Sequence, residues 1–174
     1  VGSGNLGGAV QVAPFAYDLV LNCDMNTRGH TQWFFFRVRN MLPGVEYQLN
    51  IINLMKPDSL FQQGMRPLLY SEADAATGCG WRRCGSRICY FPNQYTYTPA
   101  TAKKKKKDKE GKAGPDDARV CYHTLTFTVS FPPDRDAAHL TQRYPYTYSM
   151  LQRSLRALLT PQRHPILPLH PLCL

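Results

Sequence analysis

The chain has 174 residues, of which 43% are hydrophobic, and its formal net charge is +9. This length is typical of one domain with a buried core, and the aromatic and apolar content excludes a fully disordered chain. The stretch 103–117 and the residues after Ser149 carry six of the nine net charges, so the remaining body is only mildly basic and its charge indicates no particular partner.

The first third of the chain reads as strands joined by polar turns. Residues 1–14 are Gly-rich and weakly patterned, which predicts a loop. Alternating apolar and polar residues over 16–22 predict the first strand. Aromatic and β-branched residues over 32–39 predict a second strand, and 45–54 a third. The Leu-Pro-Gly turn at 42–44 favours a hairpin between these two.

The middle of the chain continues the same pattern. Residues 56–66 are polar with Pro and Gly and predict a loop. A short edge strand is expected over 67–71, followed by one helical turn over 72–77. Two extended pieces are expected within 81–91. The strict alternation over 122–131 predicts the clearest strand of the chain. About seven short strands of this kind predict an all-β fold, mainly an antiparallel sandwich or barrel-like sheet.

Two segments depart from the strand pattern. Five consecutive lysines and further charged residues at 97–118 predict a disordered insertion at a loop tip of the domain 1–148. From Ser149 the apolar spacing becomes helical, which predicts a short C-terminal helix over 149–160 with Ser149 as its N-cap. The dense prolines that follow predict a loose tail over 161–174.

Five segments resemble one known domain, in the same order. They are Ser3-Gly4-Asn5-Leu6, His30-Thr31-Gln32-Trp33-Phe34-Phe35-Phe36, the run from Asn50 to Glu72, Gly80-Trp81-Arg82-Arg83 with Arg87-Ile88-Cys89-Tyr90, and Tyr144-Pro145-Tyr146-Thr147-Tyr148. Together they resemble the N-terminal domain of the cytosolic carboxypeptidases, zinc enzymes of the M14 metallocarboxypeptidase type. The resemblance runs from about Gly2 to Leu155, and a departure from the family is expected after Leu155.

The resemblance implies a function for the parent enzyme rather than for this chain alone. That enzyme would remove C-terminal glutamates from polyglutamylated tubulin and similar acidic tails, with zinc held in its catalytic domain. The β domain would pack beside the catalytic domain, support its folding and shape the approach of the substrate. Its expected partners are therefore the catalytic domain and, through it, acidic polyglutamate tails. The expected location is the cytoplasm, with microtubule association.

The sequence itself argues against a catalytic centre in this chain. A zinc carboxypeptidase takes its first two ligands from a His-x-x-Glu pair. None of the five histidines has Glu three residues further on; they are His30, His123, His139, His164 and His170. We therefore expect no catalytic residue, no metal ligand and no cofactor in this chain, and the expected truncation of the catalytic domain would leave it inactive alone.

The cysteines do not change this expectation. Cys79, Cys84 and Cys89 are spaced five apart, whereas structural zinc sites use shorter steps and four ligands. Free, reduced thiols are favoured because the chain is longer than the small scaffolds that depend on disulfides, and because no secretory signal and no apolar run of membrane length occurs. This cysteine usage is typical of a cytosolic protein.

Two groups of residues are candidates for contacts with partners. Tyr144, Tyr146 and Tyr148 combine an apolar ring with a polar tip, which suits a boundary between domains, although simple packing is an equal alternative. Arg82, Arg83 and Arg87 form a basic cluster that an acidic partner would contact, with ordinary surface exposure as the alternative.

A stand-alone binding module for microtubules or acidic partners is the rival interpretation of the whole chain. The run Lys103–Lys107 would attract such partners, but without interleaved aromatic residues it is more typical of a solvated loop. We expect no specific nucleic-acid binding and no membrane association. Nucleic-acid binding would require a steeply salt-dependent affinity that survives deletion of residues 103–112.

Overall fold

The computed structural model describes residues 4–27, 29–99, 119–131 and 137–159. Its contacts divide the chain into a main unit, Gly4–Tyr144, and a second unit that contains Pro145–Leu174. Most of the predicted insertion at 97–118 and the whole predicted tail at 161–174 lie outside the described residues.

Almost all regular secondary structure in the described part of the main unit is β-strand. The strands are β1 Leu6–Ala13, β2 Ala16–Leu21, β3 Phe35–Val38, β4 Glu46–Leu54, β5 Leu68–Ser71, β6 Arg82–Arg83, β7 Ser86–Tyr97, β8 Val120–Ser130 and β9 Ala138–Thr141. A 3₁₀ turn covers Leu60–Gln63, and the short helix α1 covers Glu72–Ala76. The first sheet has the order β1-β2-β4-β8-β7 and the second the order β3-β9-β5-β6.

The two sheets bury a common apolar layer, which confirms the all-β sandwich prediction. Strand β8 turns Leu125, Phe127 and Val129 inward, as its alternation predicted. Phe34, just before β3, stacks on Phe127 with ring centroids 6.4 Å apart, and neither side chain is exposed. Each such ring buries enough apolar surface to contribute about 2 kcal/mol or more to folding.

A buried asparagine joins the sheets where the chain first enters the body. Asn5 donates its side-chain amide to the carbonyl of Trp33 at 2.8 Å and accepts from the backbone N–H of Phe35 at 2.9 Å. Its own N–H bonds the carbonyl of Phe35, and its carbonyl accepts from Asn22, which follows β2. All its polar groups are thus satisfied between the strand ends of different sheets.

A second asparagine extends the ladder between β2 and β4. These strands pair in parallel as far as Leu19 opposite Ile51, after which the register of β4 against β8 shifts. The side chain of Asn53 takes over: its Oδ1 accepts from the N–H of Leu21, and its Nδ2 donates to the carbonyl of Leu21, both at 2.9 Å. Thr31 donates its hydroxyl to the carbonyl of Asn53. The amide therefore replaces a peptide group where the backbone departs from regular pairing.

Three predictions about the strands are wrong. Residues 6–13, assigned to a loop, form β1; its Gly and Ala residues conceal the strand because nearly all of its positions are exposed and show no alternation. The hairpin across residues 42–44 does not form, since β3 pairs with β9 and β4 with β2 and β8. Strand β5 is not an edge strand, because it lies between β9 and β6.

The helical predictions are closer to the structure. Helix α1 covers the predicted turn, with the hydroxyl of Ser71 accepting from the N–H of Asp74 as its N-cap. Helix α2 covers Tyr148–Leu159, one residue away from the prediction at its start. Thr147 rather than Ser149 caps it, since its hydroxyl accepts from the N–H of Met150 at 3.3 Å.

Replacing Asn5 by Ala should lower the free energy of unfolding by about 2–4 kcal/mol, because the carbonyl of Trp33 and the N–H of Phe35 would be left without partners in a buried position. Urea unfolding followed by tryptophan fluorescence measures this. Gln11→Ala, an exposed change on the neighbouring strand β1, should stay within about 0.5 kcal/mol of the parent. Equal stability of the two variants would contradict the structural role of Asn5.

Candidate interaction surfaces

The predicted arginine cluster lies where β5, β6 and the start of β7 meet. Arg83 is opposite Leu68 in the β5–β6 pair, and Gly85 takes a positive φ of 84° that turns the chain from β6 into β7. Arg66, which the sequence analysis did not single out, enters the same cluster from the residue before Pro67. Only the strand pairing brings it there, since it is 17 residues away from Arg83.

Arg66 and Arg83 are held by backbone carbonyls. The Nε and Nη2 groups of Arg66 donate to the carbonyl of Gly85 at 3.1 and 2.8 Å, and Nε also reaches the carbonyl of Cys84 at 3.3 Å. Arg83 donates from Nη1 to the carbonyl of Arg66 at 2.6 Å. Both side chains are exposed, and neither is in any of the ion pairs among the described residues.

The other two arginines of the cluster already have acidic partners. Arg82 pairs with Asp74 of α1 through Nε and Oδ2 at 3.3 Å. Arg87 pairs with Glu46 of β4 and donates from Nε to the hydroxyl of Thr128 at 3.2 Å. Of the three arginines that the sequence analysis grouped, Arg82 and Arg87 therefore form ion pairs with carboxylates. Among the described residues, Arg83 has no carboxylate partner.

Cys84 lies buried beneath these arginines. Burial raises the pKa of its thiol to about 11, against the opposing influence of Arg82, Arg66 and Arg83, whose positive charges favour the thiolate. The thiol is consequently neutral at physiological pH. Cys79 and Cys89, its partners in the spacing of five, are both exposed.

The outer face of the second sheet carries an aromatic cluster. Phe35, Tyr70 and His139 lie on adjacent strands, and Trp81 packs over them from the loop before β6. The ring of Trp81 is 5.3 Å from Tyr70 and 6.2 Å from Phe35 between centroids, and His139 stacks on Phe35 at 5.8 Å. Such a face differs from the polar surface that an outward-facing sheet commonly presents to water.

The outer face of the first sheet carries a row of polar side chains. Asn50 of β4 donates to Asp18 of β2 at 2.8 Å and accepts from the hydroxyl of Thr126 of β8 at 2.6 Å. These side chains form a hydrogen-bonded row across three strands. The first sheet thus satisfies these polar side chains on its own surface.

The three predicted tyrosines are all strongly exposed. Tyr144 ends the main unit and is 65% exposed, and Tyr146 and Tyr148 of the second unit are 62% and 64% exposed. Exposed rings of this size fit a surface that awaits a partner better than they fit simple packing. Their role as an interdomain contact stays a prediction.

Helix α2 presents a continuous leucine face. Leu151, Leu155, Leu158 and Leu159 follow helical spacing and are between 38 and 56% exposed. No residue of the helix is buried. The opposite side carries Arg153 and Ala157. An amphipathic helix of this kind is stable in proteins when its apolar face is covered.

Tyr90 and His123 form a further pair that the sequence did not reveal. Their rings stack at 5.4 Å between adjacent strands β7 and β8, and the hydroxyl of Tyr90 donates to the carbonyl of Lys56. Burial raises the pKa of Tyr90 to about 12, assisted by Asp58. The pair anchors the loop after β4, so we assign it a structural role.

Within residues 4–27, 29–99, 119–131 and 137–159, no group of three or more His, Cys, Asp or Glu side chains is arranged to hold a metal ion. The described residues therefore do not fit a zinc centre. In the same part of the chain, no helix has the length and hydrophobicity needed to cross a bilayer.

Sequence comparison finds curated relatives over most of the chain. It is 46% identical over 157 residues to cytosolic carboxypeptidase 4 of Mus musculus, a match that covers 90% of this chain and 13% of that protein. It is 45% identical over 172 residues to cytosolic carboxypeptidase 2 of Danio rerio, covering 98% of this chain and 21% of that protein. The second match extends past Leu155, where a departure from the family was expected. No family model matches the chain.

Structural comparison finds a similar fold in a solved structure. The chain superposes on a putative carboxypeptidase A from Shewanella denitrificans with a TM-score of 0.53 and 20% sequence identity, over 95% of this chain and 32% of that one. At this identity the likeness shows the fold alone. In each of these comparisons the chain spans a minor part of the other protein's length.

The burial of Cys84 predicts its reactivity. At pH 8, iodoacetamide should modify the exposed cysteines and leave Cys84 unmodified, because the thiolate is the reacting species and both burial and a pKa of about 11 suppress it. Peptide mass spectrometry reads each site; among the described residues, the exposed sites are Cys23, Cys79, Cys89 and Cys121. Raising the pH to about 10 should still leave Cys84 slow, because its pKa is about 11. Labelling of native Cys84 at the rate of Cys89 would contradict the described packing.

Proposed function

Because this chain is a domain of the cytosolic carboxypeptidase family, we propose that it is the non-catalytic β-sandwich companion of a zinc carboxypeptidase catalytic domain. The parent enzyme would remove C-terminal glutamates from polyglutamylated tubulin and similar acidic tails. In it, the sandwich supports the folding of the catalytic domain and shapes the approach of the acidic substrate. Hydrolysis and zinc binding belong to residues that this chain does not supply. The cytoplasm is the proposed location, as the names of the relatives suggest.

The observation that carries the proposal is the exposed leucine face of α2. Covering Leu151, Leu155 and Leu158 would remove several apolar side chains from water, each contributing about 1.5–3 kcal/mol when fully buried. The helix lies in a unit separate from the main unit, and this chain spans 13 to 21% of the relatives compared above. The remainder of such a relative is therefore the proposed partner of this face, with Tyr146 and Tyr148 beside it.

The aromatic outer face of the second sheet supports the same partner. Trp81 and Tyr70 are only partly buried, and rings of this type are enriched at protein interfaces. A catalytic domain that packs on the second sheet would bury these rings without leaving the polar groups of Asn50 or Thr126 unpaired.

A stand-alone module that binds acidic partners is the alternative function. The observation in its favour is the absence of a carboxylate partner for Arg66 and Arg83 in the described residues. It differs from the main proposal in one respect that can be measured, since a stand-alone module needs no association with a catalytic domain.

Placing a charge on the leucine face should prevent association with the catalytic part. We expect the tagged chain to co-purify with the part of the mouse relative that lies outside the matched segment, when both are co-expressed. Leu155→Asp should reduce the recovered partner at least 10-fold, because an unpaired carboxylate would be buried. Ala157→Asp places the same charge on the opposite side of α2 and should leave recovery unchanged.

Both variants should retain the unfolding midpoint of the parent, because neither residue is buried. Equal co-purification of both variants would remove the support of the leucine face for the proposal. An assay of this chain alone with a polyglutamylated peptide and added zinc should show no release of glutamate. Measurable turnover there would overturn the non-catalytic assignment.

A further inference from the structure

We propose that Arg66 and Arg83 form a binding site for two carboxylates of an acidic peptide on the rim of the sandwich. The choice of an acidic peptide rests on the proposed function, whereas the site itself rests on the contacts of the two arginines. The sequence analysis grouped Arg82, Arg83 and Arg87, but ion pairs to Asp74 and Glu46 withdraw two of these three from binding.

The strand pairing holds the backbones of Arg66 and Arg83 close to one another. The N–H of Cys84 donates to the carbonyl of Pro67 at 2.8 Å, and Leu68 pairs with Arg83, so the residues that carry the two side chains are fixed by the sheet. The bond from Arg83 to the carbonyl of Arg66 then links one side chain to the backbone of the other. The cluster is not a product of flexible surface side chains alone.

Anchoring leaves donors for a ligand. Arg66 uses its Nε and Nη2 groups on the carbonyls of Gly85 and Cys84, and Arg83 uses Nη1. A guanidinium has further N–H donors, and their planar fork matches a carboxylate in a bidentate manner. Since part of the side-chain entropy is already lost in the free protein, less is lost on binding.

The electrostatic field at the site is positive. Arg66, Arg82 and Arg83 all act on the thiol of Cys84 in the direction that stabilises its anion, against the larger effect of burial. The carboxylate of Asp74 offsets Arg82 only. An arriving carboxylate therefore meets the net charge of Arg66 and Arg83.

A short acidic peptide fits this arrangement better than a nucleic acid. A nucleic-acid backbone presents a long series of phosphates and is bound through many basic contacts. Among the described residues, Arg66 and Arg83 are the two arginines of this cluster without a carboxylate partner, and the carboxylates of Asp74 and Glu46 lie beside their paired arginines. Two carboxylates of neighbouring acidic residues are sufficient to fill the site.

The test is the affinity of the full chain for a fluorescein-labelled peptide of about six glutamates, measured by anisotropy at low salt. The parent for this assay has Lys103–Lys107 replaced by Gln, which removes the largest rival attraction. Arg83→Gln should weaken binding about 10-fold, the loss of one charge-assisted contact. Arg39→Gln removes the same charge from another exposed position and should weaken it less than about 2-fold.

A second variant and a structural control test whether a loss of binding comes from misfolding. Arg66→Gln should also weaken binding about 10-fold, and combining it with Arg83→Gln should cost less than the product of the two effects, because both groups share one ligand. Far-ultraviolet circular dichroism should be the same for all variants. Absence of saturable binding, or equal losses for Arg83→Gln and Arg39→Gln, would overturn the site.

A further arm of the experiment identifies the ligand. An oligouridine of similar charge should bind more weakly than the glutamate peptide at the same salt. Tighter binding of the oligouridine, with the same dependence on Arg83, would overturn the assignment to carboxylates. None of these results involves α2 or a catalytic partner, so failure of the site and failure of the companion-domain proposal are distinguishable.

Discussion

The sandwich depends on side-chain amides that act as peptide groups where strands leave their regular ladders. An asparagine side chain presents a donor and an acceptor side by side, as the backbone does. Asn5 uses both on the strand that begins the second sheet while its own carbonyl accepts from the residue after β2. Asn53 extends the parallel pair of β2 and β4 beyond its last backbone match. Without these amides, buried N–H and carbonyl groups at the junction of the sheets would be unpaired, at a cost of about 1–3 kcal/mol each.

The same hydrogen bonding explains why the two faces of the sandwich differ. The row from Asp18 through Asn50 to Thr126 satisfies the polar side chains of the first sheet on its own surface. The second sheet has aromatic rings at the corresponding outward positions, covered in part by Trp81. The hydrogen-bonded polar row and the aromatic cluster thus belong to different sheets.

In the arginine cluster, contacts in the folded chain rather than proximity in the sequence determine which side chains can act together. Arg82 and Arg83 are adjacent in the chain, yet one is paired with Asp74 and the other retains an uncommitted charge. Arg66 is distant in the chain, yet it donates to the carbonyl of Gly85 in the turn that follows Arg83. Basic composition predicts that an acidic partner is possible at this rim, but ion pairing determines which guanidinium groups remain to bind it.

Local patterns in the sequence determined the class of the fold and the limits on its chemistry. The alternation over 122–131 and the leucine spacing after Ser149 identified β8 and α2, because side-chain periodicity is a property of each element alone. The absence of His-x-x-Glu also needed no structure. The tertiary structure alone decided that β3 and β4 belong to different sheets, that residues 6–13 form β1, that Asn5 joins the two sheets and that Arg66 lies beside Arg83. Strand β1 pairs with the adjacent strand β2, but its exposed positions carry no periodicity. The other three depend on hydrogen-bond partners far away in the chain, which periodicity does not specify.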